Sequence, residues 1–181
     1  MNRSMMITRE HDYGNAYWIQ PVRVSDVEYI TSEQVRESSN EISIQADDFD
    51  SLLAYFFKQH FDGSQSYNQH RYSLDMNPTG RSDKFEYYLE HNFYTYQQME
   101  DIIQEIESVA DAFRGSVYDN ITDELLAFVN GYFNVYFGLN KAVTYDMFKH
   151  KLCDFYQKFV SEVRRMMKEC PECTLFDVMA P

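Results

Sequence analysis

The chain has 181 residues and a formal charge of -13, with 44% hydrophobic residues and 17% aromatics, fifteen Tyr and fourteen Phe among them. Such a chain is too apolar for disorder and long enough to bury a core without covalent staples, so one folded domain over residues 1–181 is expected. Direct binding of DNA or RNA is disfavoured, because it needs a basic patch that displaces the counterions of phosphate.

No run of about 18 apolar residues offers a membrane span, and the N-terminal stretch MNRSMMITREHDYG lacks the apolar segment of a secretory signal. Three cysteines, an odd number, fit a reducing compartment better than a disulfide framework. A cytoplasmic location is the expectation. The charge is uneven: Met1–Asn140 carries 9 Lys and Arg against 23 Asp and Glu, whereas Lys141–Pro181 carries 7 against 6. A basic protein surface is the natural complement of the first part.

In chain order, Ala16–Val24 (AYWIQPVRV) reads as a strand, and Pro21, which cannot donate to a ladder, places it at a sheet edge or bulge. Ser25–Ser39 is polar and fits a short helix or a loop. Glu41–Gln45 alternates Ile42 and Ile44 with polar residues, as a half-buried strand does. Asp47, Asp48 and Asp50 then crowd a helix N-terminus, where negative charge is favoured. Phe49, Leu52, Leu53, Phe56 and Phe57 follow at core-facing helical spacing, and Gly63 ends the segment.

Between Tyr67 and Phe93 the alternation of Tyr72, Leu74 and Met76, the turn residues Asn77-Pro78-Thr79-Gly80, and the alternation of Phe85, Tyr87 and Leu89 predict a hairpin. In that register Tyr72 opposes Phe85, His70 opposes Tyr87 and Arg71 opposes Glu86. The hairpin should pack on the next helix.

That helix, Thr95–Arg114, is the clearest element. Thr95 and Gln98 form a capping box, Gly115 stops the helix, and Met99, Ile102, Ile103, Ile106, Val109, Ala110 and Phe113 make one apolar stripe. Glu100, Asp101, Glu105, Glu107 and Asp111 occupy the other side, which is expected to be exposed. A third helix, capped by Asn120 or Thr122, carries Leu125, Phe128, Val129, Tyr132, Phe133 and Tyr136, with Gly131 suggesting close helix packing. The last runs from about Thr144 to Glu169 on Phe148, Leu152, Phe155, Phe159, Val163 and Met166, until Pro171 forbids its continuation. Together these predict an α+β fold, a small antiparallel sheet including the hairpin near 67–93, covered by about four helices, three of them C-terminal.

Motifs for chemistry are sparse. His150-x-x-Cys153 and Cys170-x-x-Cys173 resemble two halves of a zinc site, but an uninterrupted helix between them holds the pairs roughly 24 Å apart. Cys170 and Cys173 follow a helix C-terminus, where the dipole disfavours a thiolate. His11, His60, His70, His91 and His150 form no metal-binding pair, and no phosphate-binding or nucleophile-elbow motif occurs. No catalytic residue, cofactor or metal ligand is therefore assigned, and an enzyme is not expected.

What remains is the acidic surface. Thr95–Glu124 holds eight carboxylates and one Arg, flanked in sequence by Tyr87, Tyr88, Tyr94, Tyr96 and Tyr118. Glu100, Asp101, Glu105, Glu107, Asp111, Tyr96 and Tyr118 are the candidate partner-binding residues, with charge supplying steering and tyrosine supplying contact area. The expected partner is a basic protein such as a nuclease, engaged without membrane or direct nucleic-acid binding. Small acidic domains that inhibit such enzymes include anti-CRISPR, anti-restriction and toxin-immunity proteins. The alternatives are a zinc- or thiol-bearing interaction module and an uncharacterised enzyme.

Overall fold

The fold is given by a computed structural model that describes residues 3–6, 17–22, 42–46, 50–69, 91–139, 142–171 and 175–179. Its elements are β1 (Arg3–Met6), β2 (Tyr17–Val22), β3 (Ile42–Ala46), α1 (Asp50–His60), α2 (Ser66–Gln69), β4 (His91–Thr95), α3 (Tyr96–Gly115), α4 (Asp123–Tyr136), α5 (Tyr145–Glu169) and β5 (Leu175–Met179). The class is α+β, as composition and pattern predict.

Five strands form one sheet in the order β1-β3-β2-β5-β4. β3, β2, β5 and β4 pair antiparallel, and β1 joins β3 in parallel. β2 is therefore interior, which overturns the edge placement of the two, edge or bulge, that Pro21 suggests. Pairing of β2 with β3 stops at Ile19, whereas pairing with β5 continues through Pro21 to Val22. Among the described residues Pro21 is paired with β5 alone, at Phe176, where the β2–β3 ladder has already ended, so its missing N–H costs that ladder no bond.

Alternation divides the sheet into two apolar faces. Ile19, Tyr94, Phe176 and Val178 point into the main core with α1, α3, α4 and α5. Val22, Phe93 and Leu175 point the other way and cluster with Tyr67 of α2. Both faces are buried here.

Local sequence explains why α3 and α5 are regular. Thr95, the last residue of β4, also caps α3: its side chain accepts from the Gln98 N–H at 3.0 Å, and the Gln98 side chain accepts from the Thr95 N–H at 2.8 Å. The strand thus passes into the helix with no loop. All seven stripe residues of α3 are buried, and α3 lies along α5 in the largest helix contact. The helix ends one residue later than glycine chemistry suggests: Gly115 is still helical, and Ser116 takes the left-handed turn at φ 54°.

α4 is capped by Thr122, whose hydroxyl accepts from the Leu125 N–H at 3.1 Å. Its expected stripe is buried only at Leu125 and Val129, while Phe128 is 45% and Tyr136 66% exposed. The second half docks less deeply: Tyr132 and Phe133 are half-buried, with ring centroids 6.1 and 5.3 Å from that of Phe148 on α5. A Cβ on Gly131 would meet nothing within 4 Å, so this glycine does not serve close helix packing.

Most of the hairpin expected over Tyr67–Phe93, with Tyr72, Phe85, Leu89 and His70, lies outside the described residues. Its described ends depart from it: Tyr67 belongs to the helical turn α2, and β4 pairs with β5. Ser25–Ser39 and Asp47–Phe49 also lie outside the described residues.

β4 is an edge strand among the described residues, and Asn68 closes that edge. Its side-chain amide donates to the Phe93 carbonyl at 3.0 Å and accepts from the Phe93 N–H at 2.9 Å, in place of a neighbouring strand. Asn68 is 1% exposed and also donates to the Asp62 carbonyl at 2.9 Å. Asn68→Ala should destabilise the protein by about 2 kcal/mol, because it leaves buried backbone groups unsatisfied. A lowered urea midpoint at unchanged slope checks this.

Candidate functional site

The acidic residues of α3 fall into two groups. Glu105 and Glu107 have side-chain partners on neighbouring helices. Glu105 Oε2 lies 2.6 Å from His60 Nε2 at the end of α1. Glu107 Oε2 lies 2.6 Å from Arg164 Nη1 on α5. The latter contact lacks hydrogen-bond geometry, and this buried oxygen takes no hydrogen bond; charge alone holds it. Both side chains are half-buried, a correction to the expectation that they are freely exposed.

Glu100, Asp101 and Asp111 form the second group. Glu100 accepts from Gln104 at 3.2 Å and Asp101 from Gln97 at 3.0 Å. These donors are neutral amides, so the charges persist. Asp101 and Asp111 are exposed and Glu100 is half-buried. No cation among the described residues lies within ion-pair distance of any of the three.

Asp119, Asp123 and Glu124 continue this charge around the start of α4, all exposed and unpaired among the described residues. Sequence pattern does not single them out, although the eight carboxylates over Thr95–Glu124 include them. Asp123 and Glu124 have a local role too, since they sit in the first turn of α4 and complement its dipole.

The tyrosines do not form the expected rim. Tyr94 is 0% exposed, and its hydroxyl donates to the Phe57 carbonyl at 2.7 Å. Tyr96 is half-buried, with its hydroxyl on the Cys170 carbonyl at 2.6 Å and its ring 4.8 Å from that of Phe176. Tyr118 accepts from Lys149 Nζ at 2.7 Å and packs on Phe113. That hydrogen bond to Tyr118 raises the Lys149 pKa above its ordinary value, which keeps this amine protonated rather than nucleophilic. Tyr96 and Tyr118 are thus structural contacts that reach the surface only in part. Tyr87 and Tyr88 lie outside the described residues.

The cysteines follow the helix between them. α5 runs unbroken from Tyr145 to Glu169, so Cys153 and Cys170 lie about 25 Å apart along its axis. Cys153 is buried, its thiol contacts the Ala110 carbonyl at 3.4 Å, and burial raises its pKa. His150 faces solvent beside Asp146. Cys173 is outside the described residues.

A polar cluster lies on the second sheet face. His91 Nδ1 is 2.8 Å from Asp177 Oδ2, and Gln20 Nε2 donates to the same oxygen at 3.4 Å. Three strands are joined there.

Comparison with protein-family models, curated proteins and solved structures yields no match. Among the described residues, no helix is long and apolar enough to cross a membrane.

Proposed function

We propose that this protein is a binding inhibitor that occupies the basic, nucleic-acid-binding surface of a nuclease or related enzyme, in the manner of anti-CRISPR, anti-restriction or toxin-immunity proteins. The observation that carries this reading is the uncompensated surface formed by Glu100, Asp101 and Asp111 on α3 with Asp119, Asp123 and Glu124 beside it. Asp101 and Asp111 are separated by about 15 Å of helix axis, a span that covers several phosphates of one strand of B-form DNA at roughly 3.4 Å each. A rigid scaffold supports it, because the opposite side of α3 is buried against α5 and the sheet. Fixed charges of one sign raise the encounter rate with a basic surface and repel nucleic acid.

The test is a reversal restricted to carboxylates without a cationic partner. Glu100→Lys/Asp101→Lys/Asp111→Lys should fold normally, since exposed charges contribute little to stability. Immobilised wild type should capture a basic nucleic-acid-binding protein from a cell lysate, excess DNA should release it, and the triple variant should retain at least about tenfold less. Equal capture by the variant, or capture unaffected by DNA, contradicts the proposal.

A further inference from the structure

We propose that the hollow between α1, α3 and the start of α4 is a socket for one arginine side chain of the basic partner, an inference that rests on the proposed function. The hollow has a volume of about 340 Å³, near the small end of the roughly 300–1,000 Å³ range of ligand pockets. It suits one side chain rather than a folded segment. Val109, Ile121 and Leu125, each no more than 8% exposed, give it an apolar floor. Glu105 and Asp111 both line it, six residues and about 9 Å of axis apart on α3.

These lining groups select the occupant by charge and shape. Glu105 is anchored by His60, whereas Asp111 has no hydrogen bond or ion pair among the described residues. An apolar occupant would strip water from Asp111 without replacing it, and an anion would be repelled. Arginine meets both demands: its methylene stem covers apolar floor, and its weakly hydrated, planar guanidinium presents five donors to carboxylates. A lysine ammonium is more strongly hydrated and bonds as a point charge, so arginine is preferred.

The test uses the full chain, labelled with nitrogen-15, and two blocked pentapeptides, acetyl-GSRSG-amide and the same peptide with citrulline for arginine. Citrulline keeps the shape and loses the charge. The arginine peptide should shift the backbone amides of Ala112, Val117 and Ile121 saturably, and the citrulline peptide should bind at least about fivefold more weakly, as loss of a charge-assisted contact requires. Asp111→Asn should weaken the arginine peptide by a similar factor, while Asp101→Asn, outside the hollow, should change it less than about twofold. Equal binding of the two peptides, equal effects of the two variants, or no saturable shift would overturn the socket. The capture experiment above is read independently. If the peptide fails while the charge-reversed triple variant still loses the partner, the socket falls and the inhibitor reading stands.

Discussion

Phe57→Ala should lower the stability of the protein by about 4 kcal/mol, as expected for loss of a fully enclosed phenyl ring. Phe57 is 0% exposed. Its ring centroid lies 5.8 Å from that of Tyr94 on β4 and 6.2 Å from that of Phe159 on α5. Its carbonyl also holds the Tyr94 hydroxyl. Alanine would remove a ring that joins α1 both to the sheet and to the longest helix. The neighbours cannot close the gap easily, because Tyr94 is held by that hydrogen bond and by its strand. Phe128→Ala is the contrast: this side chain is 45% exposed, and its loss should cost no more than about 1 kcal/mol. Urea unfolding of both variants checks the pair, and a Phe57→Ala loss below about 1 kcal/mol would mean that α1 is not packed there.

His91→Ala should cost about 3 kcal/mol, as expected when a buried carboxylate loses a hydrogen-bond partner. The Asp177 side chain is 2% exposed and that of His91 24%. Asp177 Oδ1 already lacks a hydrogen bond, so once His91 is gone Gln20 is the one remaining donor to this carboxylate among the described residues. The unpaired carboxylate, rather than the lost imidazole packing, carries most of the effect. A double-mutant cycle separates the two: His91→Ala/Asp177→Ala should be at least about 1 kcal/mol less destabilised than the two single variants added together. Simple additivity would show that the residues are not energetically coupled.

Sequence alone exposes the elements whose causes are local. α3 is legible because capping box, apolar stripe and charged face lie within one stretch, and α5 because Phe148, Leu152, Phe155, Phe159, Val163 and Met166 repeat over its whole length. β5 is not legible. It spans only five residues and places Asp177 at a buried position, which makes sense only once His91, 86 residues earlier, is brought beside it. The interior place of β2 is hidden for a similar reason, since Pro21 lies where the β2–β3 pairing has already ended. α4 looks apolar along its length and packs through Leu125, Val129, Tyr132 and Phe133, yet periodicity cannot tell that Phe128 and Tyr136 stay at the surface.

The candidate surface shows the same division. Its negative sign is readable from the residue count, but which carboxylates stay uncompensated depends on partners distant in the chain. His60 engages Glu105 in a hydrogen bond, and Arg164 offsets the charge of Glu107. The usable acidic face therefore shifts from the middle of α3 toward Glu100, Asp101 and Asp111 and toward the first turn of α4. Tyr94, Tyr96 and Tyr118 move the other way, into hydrogen bonds and ring contacts of the fold.

The central claim is tested most directly by the rate at which the wild-type protein associates with its captured basic partner as salt is raised from about 20 to about 150 mM, which shortens the Debye length to roughly 8 Å. If the acidic face steers the encounter, the rate should fall at least about tenfold over this range, and the Glu100→Lys/Asp101→Lys/Asp111→Lys variant should start slower and respond less. An association rate that is the same at both salt concentrations, and the same for wild type and variant, would contradict the account.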